Sequence, residues 1–522
     1  MMHCKLWSST TVVVFLLASS VASAQTFQVL EATIEDVHAS LASGQITCRA
    51  LVQQYLDRID AYDKTGPSLN AVQHINAGAL SAAEALDASF SASGLVGPLH
   101  CVPVLLKDQV ETRDMPTTYG SALFEGFVSG RDATIVTRLQ DAGAIILAKT
   151  NMGEFANGYV GSAYGAIRNA YDPTRNPSGS SGGTASGVAA NFGLVGIGED
   201  TGGSVRGPAA VHSLVGLRPT VPLVSRYGMM PAKPSTDTLG PITRTVSDAA
   251  RMLDVLAGYD PNDPITAYAI GRVPDSYVDG LDAERLQGAR IGVIREPMHS
   301  QADPDSDDYK QVRAVIDRAI ADLRARGAVV VDPVVLPDLD AVERAYVENN
   351  FETEEAMNAY LKQHAGAPVK TLKDILVSGV VMPWRATGLL NVVGLTTNDH
   401  EYLAILEANE RIRRNVLTVM AEHELDALVY ATFDHQTTTI AADALTNAHT
   451  EDGYGRGNNR RLSPVTGFPA LTVPAGFTSD GLPVGLEFLG RPFTEAMLLQ
   501  LGYGYEQGTK RREPPDTTPA LP

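Results

Sequence analysis

Histidine and cysteine are scarce in this chain: eleven and three residues among 522. They form no Cys/His cluster with metal-ligand spacing, which argues against a zinc module. Only His100 and His212 fall between residues 98 and 250, and neither lies in a glycine-rich loop. His212 sits among Ala and Val and reads as a core histidine rather than a base. Basic charge is also in deficit. The 41 Lys and Arg against 60 Asp and Glu give a net charge of −19, which disfavours nucleic acid and anionic membrane as partners. Long apolar runs are missing. The one candidate, residues 11–18, is too short to span a bilayer. No internal repeat and no clear linker divides the chain, so one compact domain is expected over residues 25–512.

That short apolar run has a recognisable context. Lys5 precedes it and Ala22-Ser23-Ala24 follows it. A basic start, a short apolar core and a small-x-small exit make a secretory signal peptide over residues 1–24. Cleavage after Ala24 leaves Gln25 first and places the mature protein in a secreted or periplasmic setting, with no stable membrane association. Cys4 leaves with the leader. Cys48 and Cys101 either pair or remain two buried thiols.

Along the rest of the chain, helical and strand patterns alternate. Residues 33–62 predict two helices, the first opened by a Thr33/Asp36 capping box. Residues 81–92 predict a third, rich in Ala. Buried strands are predicted at 103–106, 144–148, 194–198, 290–294 and 425–430. Helices are predicted at 134–142 with Thr134 as N-cap, at 184–191, at 245–256 and at 309–326. Two more strands, at 471–473 and 484–489, precede a helix at 495–506. Residues 300–445 read as an insertion-like helical cap, and the Pro-rich residues 513–522 as a disordered tail. Short strands alternating with helices indicate an α/β layered fold.

The chemistry concentrates between Pro177 and Pro219. One Gly/Ser loop spans residues 178–183 and a second, Gly202-Gly203-Ser204, follows the apolar strand at 194–198. Loops leaving strand ends are where α/β proteins place reactive groups. Glycines there bare backbone N–H groups, which can stabilise a tetrahedral oxyanion. Ser204 needs a base to attack. Lys107 ends an apolar strand, where lost hydration lowers an amine toward neutrality. Pairing with Asp108 as a surface lysine is the plainer alternative. Ser180 can bridge Lys107 and Ser204, donating to one and accepting from the other, and its glycine neighbours tolerate even a cis peptide. Residues 179–183 also match G-x-S-x-G, the nucleophile elbow of α/β-hydrolases. That elbow requires a preceding strand, and the polar 171–177 segment with Pro173 and Pro177 is not one.

These residues together resemble the amidase signature family. The similarity runs through Gly97 to Asp108, Ala144 to Asn151, Gly179 to Gly183, Gly198 to Arg206, Gly216 to Thr220, and Gly467 to Gly485. The resemblance implies a mixed β-sheet sandwiched by many helices and no metal or cofactor. It implies a Ser–cis-Ser–Lys triad: Ser204 as nucleophile, Ser180 as the cis-serine, Lys107 as base. It also implies an oxyanion hole from the N–H groups of Thr201, Gly202, Gly203 and Ser204. Three positions depart from the pattern. Cys101 and Ser178 replace glycines, and Gln109 replaces an asparagine.

The function so implied is hydrolysis of a small-molecule amide, non-peptide or peptide C-terminal, to acid and amine. An acyl-enzyme on Ser204 would carry it, in a monomer or homodimer. Two alternatives use the same residues. The A subunit of an amidotransferase conflicts with the leader and the acidic charge. An esterase or carbamate hydrolase shares the intermediate and stays open. A non-catalytic scaffold would have no need to keep Lys107, Ser180 and Ser204 together.

Overall fold

The computed structural model describes residues 27–447 and 455–521, together with Met1 and Trp7. The expected leader otherwise lies outside the described residues. Thirteen strands are present among them: β1 Val72–Ile75, β2 Pro103–Lys107, β3 Ile145–Thr150, β4 Val160–Gly161, β5 Gly165–Ala166, β6 Val195–Asp200, β7 Val215–Arg218, β8 Thr238–Thr243, β9 Arg290–Ile294, β10 Val329–Val334, β11 Ala427–Ala431, β12 Ala470–Phe477 and β13 Pro483–Leu489. Eleven of them form one mixed sheet in the order β1-β3-β2-β6-β8-β7-β12-β13-β11-β9-β10. β4 and β5 pair separately. The α/β class and the helix-covered mixed sheet follow the expectation.

Strand composition explains the layering. β2 (PVLLK), β3 (IILAKT) and β11 (ALVYA) are buried at every residue. Continuous aliphatic runs are what a sheet covered on both faces requires. β2 runs parallel to both β3 and β6, and β9 parallel to β10 and β11. Antiparallel strands β8, β7, β12 and β13 join these two groups. Because β2 and β6 are adjacent and parallel, their carboxyl ends, Lys107 and Asp200, lie side by side at the same end of the sheet's strands.

Glycines let the helix Gly182–Ala189 lie close on β6. A Cβ at Gly196 would stand 2.4 Å from Thr184 Cγ2, and one at Gly198 would stand 2.9 Å from Ser181 Oγ. The absent side chains therefore set the depth at which the Ser180 loop meets the strand end.

Several expectations need correction. Thr134 is the first residue of its helix, not the cap. Ala133 takes the cap position and no side chain serves it. Strands β1, β7, β8 and β10 were not expected. β8 carries Pro241 in a central position opposite Ile197, a placement that strand rules disfavour. β10 carries Pro333 at the sheet edge, where a missing N–H costs no ladder bond. The segment 300–445 is not a cap throughout. The helix Asp307–Ala325 packs on β10, β11, β12 and β13, and β10 and β11 are themselves sheet strands. The helices Ala341–Glu348 and His400–Glu422 also share a buried cluster with β9, β10, β11, β12 and β13, whereas those between 353 and 390 join a separate cluster with Tyr119, Phe124 and Phe155. The C-terminal segment is ordered where disorder was expected. The Arg58 guanidinium donates to Thr518 O (2.7 Å) and Pro519 O (2.8 Å), and Thr518 is buried. Cys48 and Cys101 are disulfide-bonded, with Cα atoms 5.5 Å apart.

Gly196→Val should force the helix Gly182–Ala189 off β6. Overpacking of this kind costs about 1–3 kcal/mol. Urea unfolding should show a lower midpoint with an unchanged slope. An unchanged midpoint would mean the contact is not close.

Candidate active site

Lys107 closes β2 as an aliphatic run ends in one charge. Its side chain is fully buried. Its Nζ donates to Ser180 Oγ (2.8 Å), Glu199 Oε2 (2.9 Å) and Glu199 O (3.2 Å). Burial is the largest influence on the amine and pulls its pKa below the usual lysine value, with Glu199 opposing. Pairing with Asp108 does not occur. Asp108 Oδ2 accepts from the Thr118 N–H and hydroxyl (2.9 Å each), and Asp108 Oδ1 lies 3.7 Å from Lys149.

Ser180 follows a cis Gly179–Ser180 peptide just before the helix Gly182–Ala189. Its carbonyl accepts from Gly153 N–H (3.2 Å). The adjacent Ser181 Oγ donates to Glu199 O (3.2 Å) and accepts from Glu199 N–H (3.3 Å), which ties the loop to β6.

Ser204 lies in the turn between β6 and the helix Arg206–Ala210, half-buried. The structure thus brings Lys107 and Ser180 into contact, while no hydrogen bond joins Ser204 to Ser180 among the described residues. Asp200 organises this turn. Its carboxylate accepts from Gly203 N–H (2.6 Å), Val205 N–H (3.1 Å) and Arg206 Nε (3.2 Å), and lies 3.2 Å from Arg218 Nη1. Burial works against the charge, but Arg206 and then Arg218 outweigh it and hold the carboxyl well below the usual range. Arg206 in turn bonds Glu487, which also accepts from Tyr430 OH (3.0 Å).

The oxyanion hole implied by the resemblance needs one revision. Gly203 N–H is already given to Asp200, so it is not available. The N–H groups of Thr201, Gly202 and Ser204 have no protein acceptor among the described residues. Two arginines, which sequence reasoning missed, set the peptide planes. Arg461 Nη1 donates to Gly202 O (2.6 Å) and Arg460 Nη1 to Gly203 O (2.7 Å). In a planar trans peptide the N–H points opposite the carbonyl. Holding Gly203 O therefore turns Ser204 N–H to the other side. Gly203 has φ +117°, a conformation that glycine permits. Nothing in the segment 455–461 signals contact with residues some 250 positions earlier.

Two of the family departures now have a backbone reason. Cys101 (φ +63°) and Ser178 (φ +58°) both occupy left-handed conformations, where glycine is the easy choice. Cys101 is held there by its disulfide, and Ser178 Oγ accepts from Arg460 Nη1 (3.4 Å). Gln109 donates to Met230 O (3.3 Å). His212 is a core histidine. Its Nδ1 lies 2.8 Å from Pro208 O and its Nε2 accepts from Ala170 N–H (3.3 Å), which fixes the neutral ring. Burial lowers it to about 4.

Met152, Phe155, Met230 and Met357, with Gln109 and Arg385, line a narrow cleft, and Gly153, next to Met152, donates its N–H to Ser180 O. Arg385 donates to Glu154 O (3.1 Å) and Phe155 O (2.8 Å). Glu111 ties the helix Thr353–Lys362 to the body. It accepts from Tyr360 OH and Arg131 Nε (2.5 Å) and lies 2.8 Å from His364 Nε2.

Comparison with known proteins finds relatives along most of the chain. The family model "Amidase" matches residues 50–499. A probable amidase of Arabidopsis thaliana is 33% identical over 95% of this chain and 94% of its own length. The A subunit of glutamyl-tRNA(Gln) amidotransferase from Moorella thermoacetica is 35% identical over 92% of this chain and 98% of its own. The native peptide amidase of Stenotrophomonas maltophilia superposes with a TM-score of 0.83 at 36% identity, covering 93% of this chain and 99% of its own.

Asp200→Ala should leave Arg206 and Arg218 buried without their shared partner. Breaking such a pair costs about 3–5 kcal/mol, readable as a lower urea midpoint together with lost turnover. A variant as stable as the parent would show that the turn holds itself. His212 gives a pH dependence. Its folded pKa is depressed from 6.5 to about 4, so its contribution is complete above pH 6.5 and is lost as pH falls toward 4. The loss is about 3 kcal/mol at about 1.4 kcal/mol per unit. Chemical denaturation at both ends of that range should show His212→Asn losing less stability than the parent; equal losses would assign the acid sensitivity elsewhere.

Proposed function

The chain belongs to the amidase family, and from that premise we propose that this amide hydrolase acts through Ser204, Ser180 and Lys107, on small amides in an exported setting. The observation that carries the reading is the contact between the buried Lys107 amine and Ser180 Oγ. A desolvated amine facing a hydroxyl is the base that Ser204 lacks.

The steps follow from proton balance. Ser204 Oγ attacks the amide carbon as its proton passes to Ser180 Oγ, whose own proton passes to Lys107 Nζ. The oxyanion is met by N–H groups of Thr201, Gly202 and Ser204, the last of them preset by the Arg460-held carbonyl of Gly203. Lys107 then returns the proton through Ser180 to the leaving nitrogen, the C–N bond breaks, and the acyl group stays on Ser204. Water attacks the ester by the same relay and releases the acid. Esters and carbamates can enter the same intermediate.

The apolar lining of the cleft formed by Met152, Phe155, Met230 and Met357, which Gly153 links to Ser180, supports an amide with an apolar group next to the scissile bond. A C-terminal carboxamide of a short peptide fits that description, and the likeness to peptide amidases at TM-scores of 0.83 and 0.84 supports it. The leader read in residues 1–24 and the Cys48–Cys101 disulfide support export, since disulfides persist in oxidising compartments. Both weigh against an A-subunit role in an amidotransferase, although relatives of that name align along most of the chain.

The mature protein from Gln25, assayed on capped peptide amides, primary amides and anilides, should release acid and amine, fastest for peptide amides with an apolar last residue. Ser204→Ala should reduce turnover to background at the parental melting temperature, and Lys107→Ala should lower turnover by several orders of magnitude together with a lower melting temperature, because Glu199 is left buried without its partner. Undiminished turnover in Ser204→Ala would remove the assignment.

A further inference from the structure

We infer that Glu199 is a positioning residue for the reaction: it aims the Lys107 amine at Ser180 and balances the positive charge that the amine acquires. The inference rests on Lys107 being the base, as proposed above.

Geometry comes first. Lys107 Nζ has three polar neighbours, and two of them belong to Glu199: the carboxylate Oε2 at 2.9 Å and the carbonyl at 3.2 Å. The third is Ser180 Oγ at 2.8 Å. An ammonium carries three donors, so this set satisfies the charged state completely. The neutral amine has two N–H bonds and one lone pair. Once both N–H bonds are given to Glu199, the lone pair is left pointing at Ser180 Oγ. The same residue therefore serves the amine before and after it takes a proton.

Glu199 is itself fixed. It sits on β6, one residue before Asp200, and its carboxyl group is fully buried. Its Oε1 accepts from Thr201 Oγ1 (2.6 Å), and its backbone is bound on both sides by Ser181 Oγ. It thus links the base, the Ser180 loop and the start of the nucleophile turn. Glu199 is the one carboxylate within ion-pair distance of Lys107 among the described residues.

The surrounding charges are these. Asp200 and Asp237 also favour the charged amine, after Glu199. Asp200 is compensated by Arg206 and Arg218. Asp237 accepts from Ala232 N–H (2.8 Å) and Lys233 N–H (2.9 Å), and burial followed by the Glu199 charge raises it to about 6. The Lys233 ammonium and the Arg461 guanidinium each lie over the Tyr346 ring, 4.4 and 3.8 Å from its centroid. Burial lowers the Lys107 pKa, and the Glu199 charge is the first influence raising it. Removing that charge lets the amine lose its proton at lower pH.

The test is the pH profile of kcat/KM for the mature enzyme on a capped peptide amide. Glu199→Gln should move the acid limb down by about one pH unit or more. It should also lower kcat at the plateau about tenfold or more, because a less basic amine takes the serine proton less readily. Glu199→Asp, which keeps the charge, should hold the limb near its parental position. Glu199→Thr, uncharged and smaller, provides the same reading if the Gln variant does not fold. An unmoved limb in a folded, uncharged variant overturns the role, because a packing residue lowers the plateau without shifting the limb. Lys107→Ala separates the two claims. Full activity there removes the base assignment, whereas loss there with an unmoved Glu199→Gln limb overturns the Glu199 role alone.

Discussion

The buried Asp200 carboxylate is the constraint on which the site depends. A charge without water is tolerated only when paired and hydrogen-bonded. Asp200 meets that demand with two arginines and two backbone N–H groups of the turn that carries Ser204. The turn is therefore shaped by electrostatics, not by packing alone. Because Gly203 N–H is spent on Asp200, the carbonyl of Gly202 faces outward to Arg461, and the N–H groups left without a protein acceptor are those of Thr201, Gly202 and Ser204 among the described residues.

The same strand end carries a second buried charge arrangement with another task. Asp200 faces Arg206 and Arg218 and stays ionised. Glu199, its neighbour in sequence, faces Lys107. Alternation along β6 sends consecutive carboxylates in different directions, one to build the turn and one to the base. Desolvation alone would leave the amine with little affinity for a proton, and Glu199 restores part of it. Opposed influences of this kind would let an amine in a dry site accept a proton and give it back, as the proposed base must.

Much of the site was legible in the sequence. Lys107, Ser180 and Ser204 stand at the end of an apolar run or in glycine-rich turns, which are local signals. The apolar runs of β2, β3, β9 and β11 were legible for the same reason, whereas β10, with four valines, was not, because Asp332 and Pro333 interrupt it. β7 and β8 were not, because a central strand with Pro241 and flanking glycines lacks the local pattern. Arg460 and Arg461 were invisible, since their value lies in two carbonyls distant in sequence. Glu199 was read only as part of a motif. Its pairing with Lys107 depends on β2 lying beside β6.

The sequence by itself determined the fold class and the family and pointed to Lys107, Ser180 and Ser204 as the candidate site, because periodicity, glycine placement and short motifs are local properties. Tertiary structure alone decided which N–H groups of the nucleophile turn remain open and what stands opposite the lysine. It also decided that the two cysteines are joined and that the C-terminal segment is anchored on Arg58. Those outcomes are set by which strands become neighbours and where buried charges find partners, and neither is encoded in any contiguous stretch of chain.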